Sequence, residues 1–495
     1  MSNDIENKID NDSPNINNEI VEPQTVPQTP TPLFLDKNDE NIKAINELMP
    51  ISNKATTVIF NPVNSTEENV KENKQNVWGA TFLFANTSLG LTIFTFAIRA
   101  KQFGLFWFLV ACILASIINI WTLIRLVQAV DGMKERDYSI IVRKILGKKW
   151  EIILNIFLML YVLLFLMTYT TLIYSLIGRF IRAICYKGQY ETYDDFKKEK
   201  WDNAYYKWPI IFGYCIVLFS ISLLKNMEKL NFAGYIGFIA VFYTSFVVII
   251  QCKKYYNWYK QNERVEGDKS TYPNYWDFSK AFTKELNFFK GMASLFAAYT
   301  NHSNCFPIYA SFDGVKDGKK KMIHSIYLSN IIVGILHCAV IICAFLSEPL
   351  EPEDLIIFRI NRFGGYDIVM NIAVLSSAVC LFFSTPLYFV GLRMVIINTF
   401  FGGVLTNKLN LLVTGTCFAL SAIVSCVYDK ILNYITYVGG FTSIIFAYIY
   451  PIVLYIVTNK KGFTYWKNLL ELILAIILCI IGFIAGILTI IDDVK

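Results

Sequence analysis

Charged residues are scarce in this sequence. Asp, Glu, Lys and Arg make up 17% of the 495 residues, whereas hydrophobic residues make up 55%. Soluble proteins carry about 25% charged residues, so this composition excludes an ordinary soluble domain. Apolar runs of about 20 residues, the length that crosses a bilayer as a helix, recur from Trp78 to the end of the chain. The sequence therefore predicts an all-α multi-span membrane protein.

Motifs for catalysis and metal binding are missing as well. The sequence contains no HExxH, GxSxG or Walker pattern, and its 11 cysteines form no CxxC pair and no Cys/His spacing suited to zinc. No soluble stretch is long and apolar enough to form a nucleotide-hydrolysing domain. We therefore expect a protein that is not an enzyme and that needs no metal and no cofactor.

Residues 1–72 differ from the rest of the chain. They are rich in Asn, Asp, Glu and Pro, and such a segment holds too little apolar surface to form a core. We predict a disordered polar tail over residues 1–72 and a membrane domain over residues 73–495. Within that domain the apolar runs predict about eleven helical spans. Their predicted bounds are residues 78–100, 104–129, 151–180, 208–224, 232–252, 286–311, 324–347, 367–399, 408–428, 431–457 and 466–490.

Lysine and arginine collect in the loops that follow even-numbered spans, and loops of this kind face the cytosol. The loops after odd-numbered spans are mixed or acidic. The pattern predicts an integral multi-pass protein with a cytosolic N-terminal tail and a non-cytosolic C-terminus, and it explains the net charge of +6 without a nucleic-acid partner. The basic residues are Lys134, Arg136, Arg143, Lys144, Lys148, Lys149, Lys316, Lys319, Lys320, Lys321, Lys460, Lys461 and Lys467.

Two cysteines lie at or beyond the ends of apolar spans, and both are on the predicted non-cytosolic side. Cys185 follows span 3, and Cys252 is at the end of span 5. Oxidising surroundings permit a disulfide there, so a Cys185–Cys252 bridge and two free thiols both stay open. The other cysteines read as small buried hydrophobic residues.

Span 1 carries small polar residues near its middle, in the stretch FANTSLGLTIFTFAIRAKQFG, residues 84–104. In hydrocarbon, backbone that leaves a helix persists only where it lines a cavity in the protein. Asn86, Thr87, Ser88 and Gly90 have the composition of such a break, with Gly90 permitting unusual backbone angles. Close helix packing through small residues is the alternative for this segment taken by itself.

Span 6 carries a second polar cluster, in FAAYTNHSNCFPIYASFDG, residues 296–314. Pro307 follows the cluster and removes a backbone donor. Two interrupted helices five spans apart are typical of inverted repeats, in which the substrate binds between the half-helices near the middle of the bilayer. Helix amide ends favour a carboxylate there, and carbonyls favour a cation. The two clusters together predict a secondary transporter of small solutes with an anionic group.

At these residues the sequence resembles the amino acid/auxin permease family. NTSLGLTIFTFAIRAKQFG is similar to the first-span motif of that family, and NHSNCFPIY is similar to its sixth-span pattern of His, a gap, and Pro-Ile-Tyr. The similarity continues through LLKNMEKLNFAGYIG, FFSTPLYFVGLRM and YVGGFTSIIFAYIYPIVLY. The resemblance implies a LeuT-like transporter fold of 5+5 inverted repeats with broken helices 1 and 6, and it implies amino acid transport by alternating access.

The geometry of that family also implies a set of substrate-binding residues. They are Thr87, Ser88, Leu89 and Gly90 of span 1, Tyr169, Thr170 and Tyr174 of span 3, and Tyr299, Thr300 and Asn301 of span 6. None of these side chains is acidic, so a cationic substrate would lack a counter-charge. We therefore favour neutral amino acids, while cationic ones stay open because aromatic faces and carbonyls hold ammonium and guanidinium groups.

The coupling ion is open between Na⁺ and H⁺. In sodium-coupled relatives a first-span Asn and an eighth-span hydroxyl help to hold the ion, and the matching positions are Asn86 with Ser384 or Thr385. His302 is a candidate proton-linked residue, because histidine titrates near neutral pH. A hydrogen-bonded packing role is the alternative for His302.

Several positions depart from the family pattern or invite a structural interpretation. Thr92 stands where the motif has its second Gly, and Arg99 stands where a small residue is common. We expect Arg99 to extend to the membrane interface and Arg393 to act in topology or gating. Gly482 and Gly486 have the GxxxG spacing of a helix-packing face.

One alternative keeps the same fold with a different function. A non-transporting amino-acid sensor would bind the same substrate and signal through its polar tail. The expected partners are otherwise an amino acid, H⁺ or Na⁺, and the lipid bilayer. No targeting signal is readable, so the plasma membrane and a vacuolar or lysosomal membrane both stay open.

Overall fold

The described part of the chain is helical. The computed structural model describes residues 76–186, 204–223, 231–262, 286–348, 354–363, 367–402, 406–428, 430–459 and 462–494. Seven helices in this part are long and apolar enough to cross a membrane, and the count rises to nine if each of two bent helix pairs forms one span. The predicted tail, residues 1–72, lies outside the described residues.

The helices follow the predicted order of spans. The prediction of about eleven spans counts, in addition to those nine, the shorter apolar helix Tyr206–Ser222 and the broken span 6. The helices at the positions predicted for spans 1 to 11 are Val77–Ser88 with Phe96–Phe103, Leu105–Ala129, Lys148–Cys185, Ala204–Ser222, Asn231–Ile250, Asn287–Tyr299 with Cys305–Ala310, Gly318–Ser347, Ile368–Phe400, Asn407–Val427, Ile431–Tyr437 with Tyr450–Thr458, and Trp466–Val494.

Shorter helices connect some of the spans. An amphipathic helix, Tyr138–Leu146, precedes span 3, and Cys252–Asn262 extends span 5 after a bend of 45°. A 3₁₀ helix, Ile356–Phe363, lies between spans 7 and 8. Leu355 to Phe358 of this connection are buried, so it packs into the helix bundle.

The side chains are distributed as expected for helices in lipid. Large apolar residues such as Ile239 and Ile335 are exposed at 66% and 67%, whereas many polar residues are buried between helices. Lipid provides no partner for a polar group, so hydrogen bonds must be made within the bundle. Polar residues that face inward therefore mark the helices that contact one another.

Span 10 is wound as a π-helix through its centre, over Val438–Ser443 and Ile445–Ile449. Two glycines let the backbones of neighbouring helices approach it. A Cβ added at Gly439 would lie 1.7 Å from the carbonyl oxygen of Ala293 in span 6, and one at Gly440 would lie 2.7 Å from the carbonyl oxygen of Gly482 in span 11. Gly482 and Gly486 thus form a helix-packing face, as their spacing predicts.

The structure decides two expectations about single residues. Of the two alternatives left open for Cys185 and Cys252, it has the free thiols, and the Cys252 thiol is hydrogen-bonded to Cys343. Arg99 does not extend to the membrane interface, because it is buried and donates hydrogen bonds to Thr436 Oγ1 over 2.9 Å and to the Leu432 carbonyl over 3.4 Å. Its position joins span 1 to span 10.

Arg393 is also buried. Its Nη1 donates to the Ser222 carbonyl over 2.7 Å and to Asn410 Oδ1 over 2.8 Å. These bonds join span 8 to spans 4 and 9. The predicted role of Arg393 in topology or gating stays a prediction.

Candidate binding site at two helix breaks

Span 1 is interrupted where the sequence predicts it. The first helix ends at Ser88, Leu89 and Gly90 are non-helical, and a 3₁₀ turn over Leu91–Thr95 leads into the second helix. The two halves are bent by 45°. Gly90 has φ −77° and ψ 174°, so the expectation that it supplies unusual backbone angles is wrong, since any residue adopts this extended conformation.

Span 6 is also interrupted where the sequence predicts it. Its first helix ends at Tyr299, and Thr300 is extended with φ −71° and ψ 108°. One 3₁₀ turn over His302–Asn304 precedes the second helix, Cys305–Ala310. Pro307 lies in the first turn of that helix, where a backbone N–H has no acceptor within the helix.

The backbone ends at the two breaks carry opposite partial charges. The second half of span 1 begins at the break, so its first amide groups are directed into it. The first halves of spans 1 and 6 end there, at Ser88 and Tyr299, so their last carbonyl groups are directed into it. The amide groups suit a carboxylate and the carbonyl groups suit an ammonium, so one small molecule that carries both charges fits this arrangement.

A buried hydrogen-bond network joins the breaks to spans 2 and 7. Asn301 Nδ2 donates to Ser88 Oγ over 2.9 Å, which connects one break directly to the other. Asn119 Nδ2 donates to Asn330 Oδ1 over 2.7 Å and lies 3.5 Å from Asn301 Oδ1. All four side chains are buried. The network therefore holds the breaks against the helices that surround them.

His302 lies beside this network. Its Nε2 is 2.9 Å from Thr122 Oγ1 of span 2, and its ring centroid is 6.0 Å from that of Tyr448 in span 10. Within the described part of the chain, His302 Nδ1, Asn119 Oδ1 and the Tyr448 hydroxyl are buried without a hydrogen-bond partner. Buried polar atoms are rarely left without a partner, so these three atoms are suited to contact a polar ligand.

The network includes residues that sequence reasoning missed. Asn119 and Thr122 belong to span 2, Asn330 belongs to span 7, and the Tyr161 hydroxyl of span 3 donates to the Thr300 carbonyl over 3.3 Å. A single Asn within a long apolar span is a readable signal, because an amide side chain in hydrocarbon needs a partner. Asn119 carries that signal in ILASIINIWTL.

The three span 3 candidates point in different directions. Tyr169 faces the break, since a Cβ at Gly90 would lie 3.9 Å from its hydroxyl. Thr170 instead lies 2.9 Å from Ser421 Oγ of span 9. Tyr174 packs in a separate apolar cluster together with residues of spans 4 and 9. Of the three, the structure brings only Tyr169 to the breaks.

The remaining candidates lie at the breaks with different partners. The Thr87 and Thr300 hydroxyls bond to carbonyls of their own helices, those of Phe84 and Phe296. Leu89 is buried. The Tyr299 hydroxyl is 3.3 Å from Cys112 Sγ of span 2, so this side chain points toward spans 2 and 7.

A closely packed apolar cleft, called here the aromatic cleft, lies between spans 3 and 8 and includes Tyr169; in this conformation it has no room for a water molecule. The Phe165 and Tyr388 rings are stacked there with centroids 5.6 Å apart and planes 8° apart. Sequence reasoning missed both residues. The cleft is lined by Val162, Phe165, Leu166, Tyr169, Thr385, Tyr388 and Phe389. Its lining contains no charged side chain.

The three candidate cation residues lie on two helices, Asn86 on span 1 and Ser384 with Thr385 on span 8. Asn86 lines a cavity of about 210 Å³ together with Tyr235 and Phe238 of span 5. Ser384 faces the same helix, because its Oγ would be 3.0 Å from a Cβ at Gly237. Thr385 lies on the next face of span 8, where its Oγ1 is 3.4 Å from the Tyr214 hydroxyl of span 4.

Comparison with known proteins gives one family and one fold. The family model described as transmembrane amino acid transporter protein matches residues 73–492. No curated protein matches the sequence. Among solved structures, MhsT in complex with L-phenylalanine is similar, with a TM-score of 0.51 and 13% sequence identity over 84% of this chain and 97% of that chain. The fold is therefore LeuT-like.

Proposed function

We propose, on the premise that this chain belongs to the family of transmembrane amino acid transporters, that it is a secondary transporter of neutral amino acids with a large apolar side chain. The observation that carries this proposal is the pair of breaks in spans 1 and 6, joined by the Asn301–Ser88 hydrogen bond. Helix ends of both signs meet there, and an amino acid is a zwitterion that uses both.

The substrate carboxylate would bind the amide groups at the start of the second half of span 1, from Gly90 onward. Oriented amides in a dry site bind an anion strongly because they are already in place. The ammonium group would bind carbonyls at the ends of the two first halves, at Ser88 and Tyr299. The unpaired Asn119 Oδ1 would supply a further acceptor on span 2.

The proposed preference for neutral apolar side chains rests on the aromatic cleft. Tyr169 connects the cleft to the break, because its hydroxyl approaches Gly90 and its ring contacts Tyr388 at 6.1 Å between centroids. The cleft has to widen to admit a substrate side chain, and a charged one would lie there without a counter-charge, which is costly in apolar surroundings. L-Phenylalanine, which is bound to MhsT, belongs to the proposed class.

The test is uptake by the purified protein in lipid vesicles with a panel of labelled amino acids. We expect uptake of large neutral amino acids, with little uptake of lysine, glutamate or amino acid methyl esters. Preferred uptake of a charged amino acid would overturn the substrate class. Binding of amino acids without flux would instead favour the sensor.

Two tyrosines of span 3 provide a matched pair for the same assay. Tyr169→Phe removes the hydroxyl next to Gly90 and should change the selectivity among substrates. Tyr174→Phe alters a ring in the cluster with spans 4 and 9 and should not. Equal effects of both substitutions would argue against the cleft.

The proposed orientation has its own test. Loops rich in Lys and Arg predict a cytosolic N-terminus, and an odd number of spans predicts a non-cytosolic C-terminus. An N-terminal tag should be protected from protease added outside intact cells, whereas a tag after Lys495 should be cleaved if the protein is at the cell surface. In an isolated vacuole the N-terminal tag should be the accessible one.

A further inference from the structure

His337 lies within span 7 and is fully buried. Neither of its ring nitrogens has a hydrogen-bond partner in the described part of the chain. A neutral imidazole has one N–H donor and one acceptor nitrogen, and each buried polar group left without a partner costs about 1–3 kcal/mol. His337 thus differs from His302, whose Nε2 is paired with Thr122.

Two aromatic rings enclose His337, and both belong to the broken spans. Its ring centroid is 5.3 Å from that of Phe96 with planes at 90°, and 4.9 Å from that of Tyr299 with planes at 73°. Phe96 begins the second helix of span 1, and Tyr299 ends the first helix of span 6. A movement of either half-helix away from span 7 would therefore uncover the imidazole.

Among the described residues, those that enclose His337 carry no carboxylate. The titratable groups near it are Tyr299 of span 6, Cys112 of span 2, which pairs with both Tyr299 and Cys338, and Cys338 itself, the next residue of span 7. Span 1 contributes Arg99, which is bonded to span 10 and interacts with the Asp354 carboxylate. That carboxylate faces a guanidinium, and the groups that contact His337 offer no negative charge to an imidazolium.

Other titratable groups near span 7 lie closer to its C-terminal end than His337 does. The Cys252 thiol is hydrogen-bonded to Cys343, and Glu348 follows the end of the helix. An imidazolium sealed between Phe96 and Tyr299 would have to give up its hydration without an ion partner, which is costly. The packed arrangement is therefore compatible with the neutral ring and opposes the protonated one.

We infer that His337 is a proton-binding site that controls closure of the transporter at the membrane face where span 1 ends, called here the far face. When the second helix of span 1 moves away from span 7, water reaches the imidazole and it takes up a proton from the far face. The second helix packs back on span 7 only after that proton has left to water. The inference rests on the proposed function in one respect, since it assumes that span 1 moves during transport.

The expected effect is a pH dependence of transport. A hydrated histidine with a pKa near 6.5 is roughly 10% protonated at pH 7.5 and roughly 90% protonated at pH 5.5. The fraction able to close thus falls roughly ninefold when the far face is acidified over this interval. Uptake from that face should fall by a similar factor, and acidification of the other face should have little effect.

The test compares the wild-type protein with His337→Phe and His337→Gln in vesicles whose two faces are buffered separately. Phe keeps an aromatic ring against Phe96 and Tyr299, and Gln keeps hydrogen-bonding groups, but neither takes up a proton. Both variants should lose the inhibition by acid at the far face. His324→Gln is the matched control, because His324 is exposed near the start of the same helix, and it should keep that inhibition.

A second measurement does not depend on transport. Amide hydrogen exchange over residues 91–103, corrected for the intrinsic effect of pH, should rise from pH 7.5 to pH 5.5 in the wild type and should not rise in the His337 variants. A wild-type pH response that persists in both variants would overturn the inference. If the wild-type protein shows the exchange response but transports no amino acid, the proposed transport function is contradicted and the inference about His337 is not.

Discussion

Asn301 of span 6 donates a hydrogen bond to Ser88 of span 1 across the two helix breaks, with 2.9 Å between Nδ2 and Oγ. The residues are 213 positions apart in the chain. Both are buried, so loss of either partner leaves a polar atom of the other without its bond. The pair couples the geometry of one break to that of the other.

Ser88→Ala should therefore raise the KM for substrate by roughly tenfold, the equivalent of one lost hydrogen bond of about 1.4 kcal/mol. Asn301→Ala should have a similar effect. In the double variant KM should rise by much less than the product of the two single increases, because both substitutions remove the same bond. Ser294→Ala is the control, since Ser294 bonds only to the Lys290 carbonyl of its own helix. Multiplicative effects in the double variant would show that the two residues act independently.

A second prediction concerns the space beside Gly90. Its backbone is extended, and a Cβ there would have only ordinary contacts with Thr92 and Tyr169. Gly90→Ala should therefore keep partial uptake, whereas Gly90→Val should abolish it, because its two methyl groups extend into the space that the substrate carboxylate needs. Surface-labelled protein should be present in normal amounts for both variants.

The control for Gly90 is Gly213→Val in span 4, where an added Cβ meets nothing within 4 Å. That substitution should leave uptake unchanged. Near-normal uptake by Gly90→Val would show that the break in span 1 serves helix packing and does not bind substrate.

Some features of the fold were predictable because their signal is local. The breaks lie where Asn86 to Gly90 and Thr300 to Asn304 interrupt apolar runs, and polar groups at membrane depth must find their partners within the protein. The family motifs lie at the same residues. Local composition and the family motifs therefore predicted the class of fold and the positions of the two breaks, whereas the substrate site at the breaks stays a prediction.

Other features depend on information that a linear pattern does not contain. Thr170 and Tyr169 are neighbours in sequence, yet successive residues of a helix point about 100° apart, so only contacts with other spans show which one faces the break. Asn119 and Asn330 meet across more than 200 residues. The burial of Arg99 depends on span 10, which the surrounding sequence of span 1 does not indicate.

The candidate cation site leads to a third prediction that separates Ser384 from Thr385. Asn86 and Ser384 both face span 5, whereas Thr385 faces Tyr214 and lines the aromatic cleft. If a sodium ion binds at the first pair, Asn86→Ala and Ser384→Ala should raise the sodium concentration needed for half-maximal uptake. Thr385→Ala should instead change the selectivity among substrate side chains.

The measurement is uptake as a function of sodium concentration at constant ionic strength, repeated with potassium and choline. An unchanged sodium dependence in Asn86→Ala and Ser384→Ala would place the ion elsewhere. Uptake that is independent of sodium in the wild type would leave the proton as the coupling ion.

Arg99 and Thr436 give the last prediction, which concerns the contact between the second helix of span 1 and span 10. The guanidinium donates to Thr436 Oγ1 over 2.9 Å, and the same hydroxyl donates to the Leu432 carbonyl of its own helix over 2.9 Å. Thr436→Val preserves the branched shape but removes the acceptor, and a hydrogen bond to a charged group contributes about 1.5–3 kcal/mol. The arrangement in which span 1 packs on span 10 should lose stability by about that amount.

We expect Thr436→Val to lower the Tm of the detergent-solubilised protein and to accelerate amide exchange in residues 96–103. Thr442→Val is the matched control on span 10, because the Thr442 hydroxyl is buried but bonds only to the Val438 carbonyl of its own helix. Arg99→Lys should resemble Thr436→Val, since a single ammonium group does not replace the planar guanidinium, whose Nη2 donates to Thr436 and Leu432 while its Nη1 donates to Gln102. If Thr436→Val and Thr442→Val change Tm and exchange equally, the Arg99 contact does not hold span 1 against span 10.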